Sequence, residues 1–332
     1  MAAPSVLFLG GTGVISWACT REALAAGFAV TVLGRGISTT RPSPEGCELL
    51  TADLDDDSFA DAVAGREFDV VVDFRAFTPA QVGDRLQTLG DRFGQYVFIS
   101  SASAYQKPPA RVPVLESSPL RNPFSQYARD KTACEELLTA AYRDRGVPVT
   151  VVRPSHTYDH TAPPFDGGWT VVERMRRGAP VVVHGDGTSL WTLTHHTDFA
   201  RAFTGLLGLP AAVGETVHIT SDEWLSWDAI HETMAAAAGA EPRLVHVTTD
   251  DLVADDPGAE APLRGDKSHS MVFDNTKVKT LVPGWQARVP FWRGAAEMVE
   301  WFDADPARRR VDAGVDARMD RLVARHGTRR AD

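Results

Sequence analysis

The chain has 332 residues, 43% of them hydrophobic and 23% charged, with a formal net charge of −10. This is the composition of an ordinary globular protein, with room for one large domain or a domain plus a smaller lobe. The acidic balance argues against nucleic acid and against an anionic membrane surface as partners.

Met1-Ala2-Ala3-Pro4 runs straight into Ser5-Val6-Leu7-Phe8-Leu9, without the basic-then-apolar layout of a secretion signal. Residues 5–9 are short, apolar and end in glycines, which predicts a strand buried on both faces. Gly10-Gly11-Thr12-Gly13-Val14-Ile15-Ser16 follows, and a helical pattern continues to Ala26 with Gly27 as its stop. A glycine turn between strand and helix is a dinucleotide site: Gly10 permits the turn and Gly13 lets a pyrophosphate approach the positive helix end. Thr12, Val14 and Ile15 belong to the same expected contact set, and Ser16 stands where a third glycine is common. The second strand, Ala29 to Leu33, ends at Gly34-Arg35. No acidic residue is there to hold a ribose 2′-hydroxyl, whereas Arg35 can pair with a 2′-phosphate, so NADP is favoured over NAD.

A third strand, Cys47 to Thr51, ends at Asp53-Leu54, placed to take an adenine amino group and to cover the ring. Val70-Val71-Val72 is the fourth strand, with Phe74 and Ala76 in its carboxyl-end loop as further cofactor contacts. Tyr96 to Ser100 is the fifth strand and Val149 to Val152 the sixth, with a helix over about 125–145 between them. Alternating strands and helices predict an α/β fold with a doubly wound parallel (Rossmann) sheet. Tyr127 and Lys131 are one turn apart and share a face of that helix. A lysine ammonium about 4 Å from a phenol, at an effective dielectric of about 20, favours the phenolate by about 4 kcal/mol. The expectation is a phenol with a lowered pKa, ready to exchange a proton with a substrate hydroxyl.

Gly10-x-x-Gly13, a serine just past the fifth strand and Tyr127-x-x-x-Lys131 together resemble the extended (or atypical) short-chain dehydrogenase/reductase superfamily of NAD(P)-dependent sugar epimerases and dehydratases. The resemblance covers essentially the whole chain and implies a catalytic set of Ser101, Tyr127 and Lys131. In that set Ser101 holds the reacting oxygen, Tyr127 moves the proton and Lys131 also binds the nicotinamide ribose. It further implies that Pro154 meets the cofactor, and that Ser103, His156, Tyr158, Trp191 and His195 meet the substrate. Asp159 and His160 extend that polar cluster. Two departures narrow the reading. Ala102-Ser103 stand where the dehydratases carry Asp-Glu, which disfavours a 4,6-dehydratase. Trp191 stands where the family has a diphosphate-gripping arginine, which disfavours a standard nucleotide sugar, and His156 takes the place of a family asparagine.

Beyond Pro163 the pattern changes, predicting a smaller C-terminal α/β substrate lobe over 161–192 and 223–332. Residues 1–160 form the dinucleotide-binding domain, with 193–222 returning to it. Residues 256–268 are rich in proline, glycine and charge and read as a flexible flap, in which Lys267 and His269 carry charge. Arg308-Arg309-Arg310 reads as a solvated helix edge and Arg329-Arg330-Ala331-Asp332 as a frayed tail. Cys19, Cys47 and Cys134 are scattered without metal-type spacing, so no metal and a reduced cytoplasmic setting are expected. No apolar run is long enough to span a bilayer. The leading reading is an NAD(P)-dependent epimerase of a sugar or nucleotide sugar, working through a transient ketone. The alternative is an NADPH-dependent ketoreductase or alcohol dehydrogenase. A reading of another class is an idle nucleotide- or RNA-binding protein. A homodimer is implied by the resemblance alone.

Overall fold

The computed structural model describes residues 3–38 and 40–327; the expected frayed tail at Arg329–Asp332 lies outside them. In chain order the strands are β1 (Ser5–Leu9), β2 (Ala29–Gly34), β3 (Glu48–Thr51), β4 (Phe68–Asp73), β5 (Phe93–Ile99), β6 (Val149–Pro154), β7 (His156–Tyr158), β8 (Val181–His184), β9 (Leu190–Trp191), β10 (Leu193–His195), β11 (Thr216–Ile219), β12 (Leu225–Ser226) and β13 (Leu244–Val247). Seven of them form one parallel sheet in the order β11-β6-β5-β4-β1-β2-β3. The chain leaves β1 towards β2 and β3, then crosses back to β4 and winds the other way. The carboxyl ends of β1 and β4 therefore flank the point where strand order reverses, where such sheets open a crevice for ligands.

The strands alternate their side chains between two apolar layers. Val6, Phe8, Val70 and Val72 pack with helices α1 (Val14–Ala25) and, later in the chain, His196–Thr204, through Ala18, Cys19, Phe199 and Phe203. Leu7, Leu9, Val71, Tyr96 and Phe98 pack on the opposite face. Their partners are α2 (Ser58–Val63), α3 (Pro79–Leu89) and α4 (Gln126–Arg145). Helix α4 begins because the Ser125 hydroxyl accepts the Ala128 N–H at 3.2 Å, and it stops at Gly146, whose φ of 71° is left-handed. A separate core joins the helices Trp169–Arg176, Trp227–Ala237 and Phe291–Asp303 through Val172, Trp227, Met234, Met298 and their neighbours.

Two expectations change. The segment 256–268 is not a loose flap. Glu260–Pro262 and Leu263–Lys267 are helical turns, with Leu263 buried and the Gly265 carbonyl taking the Asn122 side-chain N–H at 2.7 Å. Composition suggested a loop, but tertiary partners more than a hundred residues away order it. Arg308-Arg309-Arg310 is likewise no helix edge. A 3₁₀ turn ends at Arg308, whose guanidinium lies 4.2 Å from the Trp301 ring centroid and donates to the Trp301 carbonyl at 2.7 Å.

Candidate active site

Two cavities follow the switch point. The outer one, about 550 Å³, is lined by Gly10, Thr12, Arg35, Asp53, Leu54 and Arg75 among others. The inner one, about 330 Å³, is lined by Gly10, Thr12, Gly13, Ile15, Phe74, Arg75, Ser101, Tyr127, Lys131 and Pro154 among others. They meet at Gly10, Thr12 and Arg75. Glycine is required at the turn on two counts: φ at Gly10 is +85°, and a Cβ there would lie 2.6 Å from Cγ of Arg75. A Cβ on Gly11 would meet Val32 at 2.6 Å. The pair of linked cavities along a glycine turn fits an elongated dinucleotide. Of the expected cofactor contacts, Val14 and Ala76 line neither cavity. Val14 opens α1, and Ala76 is buried below the floor. Asp53 caps no helix; its carboxylate accepts the Asp55 N–H at 3.1 Å.

The structure brings Ser101, Tyr127 and Lys131 into the inner cavity, but it corrects the electrostatics. The Lys131 ammonium makes no hydrogen bond to the phenol. It donates to the Ala76 and Ile99 carbonyls, each at 2.7 Å, and lies 4.7 Å from the Phe98 ring centroid and 5.8 Å from that of Tyr127. Burial pushes the lysine down to about 8. The Tyr127 pKa is raised, not lowered: burial dominates, the Ser101 hydroxyl pulls it partly back, and the Asp266 carboxylate adds to the rise. Tyr127 is nevertheless 43% exposed, so a ligand in the cleft can reach it.

A third cavity, about 240 Å³, shares Ser101, Pro154 and Ser155 with the inner one. Its further walls include Ser103, His156, Trp191, Asp266, Lys267 and Phe273. The Trp191 indole donates to His156 Nδ1 at 3.1 Å, and burial pushes His156 down to about 4. Asp266 accepts from the Ser103 hydroxyl at 3.3 Å and from Lys107, a buried ammonium, at 3.0 Å. Neither Asp266 nor Lys107 carries a local sequence signal; each is defined by the other across about half the chain. Lys267 lines the cavity, whereas His269 turns to the Arg264 carbonyl at 3.0 Å.

Tyr158 and His195 are corrections, since neither lines any of these three cavities. Tyr158 is buried against Phe291 and His195, with no hydrogen-bond partner for its hydroxyl among the described residues. His195 is buried at the start of a helix, its Nδ1 at 2.7 Å from the Thr197 hydroxyl and its Nε2 at 3.0 Å from Glu297. Asp159 is tied to Arg41 at 2.6 Å and to Thr161, and His160 packs near Trp301. Arg41 thereby fastens the loop after β2 to the segment after β7. Among the described residues no group of His, Cys, Asp and Glu side chains could hold a metal ion, and no helix is long and apolar enough to cross a membrane.

A family model, "NAD dependent epimerase/dehydratase family", matches residues 6–219. The chain is 29% identical to 2′-dehydrokanamycin reductase of Streptomyces kanamyceticus over 85% of this chain and 80% of that one. It is 28% identical to a chloroplast stem-loop binding protein of Arabidopsis thaliana over 73% of this chain and 65% of that one. Among solved structures, the dTDP-glucose 4,6-dehydratase of Bacillus anthracis in complex with NAD superposes with a TM-score of 0.74 at 18% identity, covering 92% of this chain and 98% of that chain. The UDP-glucuronic acid 4-epimerase of Bacillus cereus, with UDP-glucuronic acid and NAD, does so with a TM-score of 0.71 at 16% identity, covering 90% and 99%. The glycine turn at the switch point, the whole-chain fold and the matched model agree: this chain is an enzyme of the short-chain dehydrogenase/reductase type and belongs to the NAD-dependent epimerase/dehydratase family.

Proposed function

We propose that this enzyme reduces a ketone on a small, sugar-like substrate at the expense of NADPH, with Ser101, Tyr127 and Lys131 as its catalytic residues. The carrying observation is that the inner and third cavities meet at Ser101, with Tyr127 and Lys131 on the dinucleotide side and His156 and Trp191 on the other. The nicotinamide supplies the hydride when bound. The Ser101 hydroxyl holds the substrate carbonyl oxygen, and Tyr127 gives that oxygen its proton as negative charge develops. A phenol held above its ordinary pKa is protonated at neutral pH, the form a general acid needs. Lys131, fixed by the Ala76 and Ile99 carbonyls, keeps a positive charge beneath the site. The reductase relative supports the reductive direction.

NADP is favoured over NAD because Arg35 lines the outer cavity, with Ser38 and Ser43, where no carboxylate ends β2. A substrate without a nucleotide diphosphate is favoured by Trp191 standing where a cation would grip one. The sheet's two apolar layers and the separate core of the later helices support a dinucleotide domain of 1–160 with 193–222 and a substrate lobe of 161–192 with 223–332, except that Val278 and Trp285 pack into the sheet's core and Tyr105, Val114 and Tyr158 into the other. The three free cysteines fit a cytoplasmic setting, and the homodimer rests on the resemblance. Net charge gives an RNA-binding role no support.

Epimerisation through a transient ketone is the second reading. It is favoured by the Arg41–Asp159 ion pair, which holds the loop walling the outer cavity and would slow cofactor exchange. Turnover separates the two. A reductase consumes one NADPH per product, whereas an epimerase gives product with no net change in nicotinamide absorbance.

A further inference from the structure

We infer that Arg75 supplies the positive charge that binds the cofactor's pyrophosphate, an assignment that rests on the dinucleotide reading of the cleft. Arg75 lines both the outer and the inner cavity, so it stands in the throat between the two halves of the site. It lies two residues past the end of β4, opposite the glycine turn that follows β1, and its Cγ occupies the space a Cβ on Gly10 would need. This placement is built in. The buried Asp73 carboxylate accepts the Arg75 N–H at 2.7 Å and the Ala76 N–H at 2.8 Å on one oxygen, and the Tyr96 hydroxyl at 2.8 Å on the other.

Among the described residues no carboxylate forms a salt bridge with the Arg75 guanidinium; the Phe77 ring centroid is 5.6 Å away, and Asp55, which lines the same cavity and feels the Arg75 charge, is paired with Arg85. An unpaired guanidinium in a cleft is a ready anion partner, and its planar fork matches two phosphoryl oxygens. One donor of the glycine turn is already paired. The Gly13 N–H, at the positive end of α1, is spent on the Ser16 hydroxyl at 2.8 Å. Arg35 lines only the outer cavity, so the two arginines would serve different phosphates.

The test is equilibrium binding of ADP-ribose, NAD+ and NADP+ to the wild type, Arg75→Gln and Arg75→Lys by calorimetry, with ligand-free melting curves to confirm folding. The expected result is a roughly 10- to 100-fold weaker affinity of Arg75→Gln for all three ligands, the size of one charged hydrogen-bonded contact. Arg75→Lys, which keeps the charge and should fold even where the glutamine variant does not, should lose less than Arg75→Gln. Unchanged affinities in folded Arg75→Gln would overturn the assignment while leaving the dinucleotide site intact. A loss confined to NADP+ would overturn it too, by moving Arg75 to the 2′-phosphate. A wild type that binds none of the three would remove the dinucleotide reading itself, and the assignment with it.

Discussion

The Trp191 indole N–H and His156 Nδ1 lie 3.1 Å apart, and that contact decides which proton the histidine carries. An indole can only donate, so Nδ1 accepts and Nε2 bears the hydrogen. With its pKa pushed down to about 4, His156 is neutral at pH 7 and offers the cavity a hydrogen-bond donor rather than a cation. These are the two positions where the chain departs from the family's asparagine and arginine.

Trp191→Phe removes the donor and frees Nδ1 to exchange its tautomer. We expect KM to rise about tenfold with kcat within a few-fold, the pattern of lost uniform binding. Nitrogen NMR of labelled protein should show His156 leaving a single Nε2–H tautomer. A wild-type spectrum already showing mixed tautomers would count against this.

Arg35→Gln should weaken NADP+ by about 1.5–3 kcal/mol, one charge-assisted contact, and leave NAD+ nearly unchanged. Equal affinities of the wild type for the two cofactors would remove the preference.

The pH profile follows from Lys131. With its pKa lowered to about 8 and that of Tyr127 raised, the lysine loses its proton first as pH rises. The free-enzyme kcat/KM for reduction should therefore fall above about pH 8. In Lys131→Met that limb should vanish along with most of the rate.

Acid should weaken the fold before its carboxylates titrate. His156, His184 and His231 are held down to about 4 and His196 to about 3, all chiefly by burial, from an ordinary 6.5. The unfolded chain takes up these protons near 6.5 and the folded chain only near 4, so the stability is fully present above 6.5 and lost as pH falls through that window. The loss by pH 5 is on the order of 1–2 kcal/mol per histidine. Melting temperatures at pH 7 and pH 5 check it; equal values would show these side chains titrating normally.

What the sequence reveals here is what depends on near neighbours. The glycine turn is legible because backbone freedom and a close approach leave no other residue at Gly10. Tyr127 and Lys131 share a face because four residues make a turn. What the ammonium does there is not legible, since the carbonyls that capture it lie 55 and 32 residues away. The same limit explains Tyr158 and His195. Each sits in a polar, site-like stretch, yet Phe291 and Glu297, more than a hundred residues later, take them into the core. Asp266 and Arg75 were missed for the converse reason: ordinary charged residues in loops, given meaning only by Lys107 and Ser103 in one case and by Gly10 in the other.

The central claim is that the Tyr127 phenol delivers the proton while NADPH is consumed. The most direct measurement is NADPH oxidation by the wild type and Tyr127→Phe against a panel of keto-sugars and simple ketones, with cofactor affinity measured in parallel. The account predicts one NADPH consumed per product by the wild type. It also predicts a loss of roughly 10²- to 10⁴-fold in kcat for Tyr127→Phe, with NADPH still bound. A phenylalanine variant that turns over as fast as the wild type would contradict it.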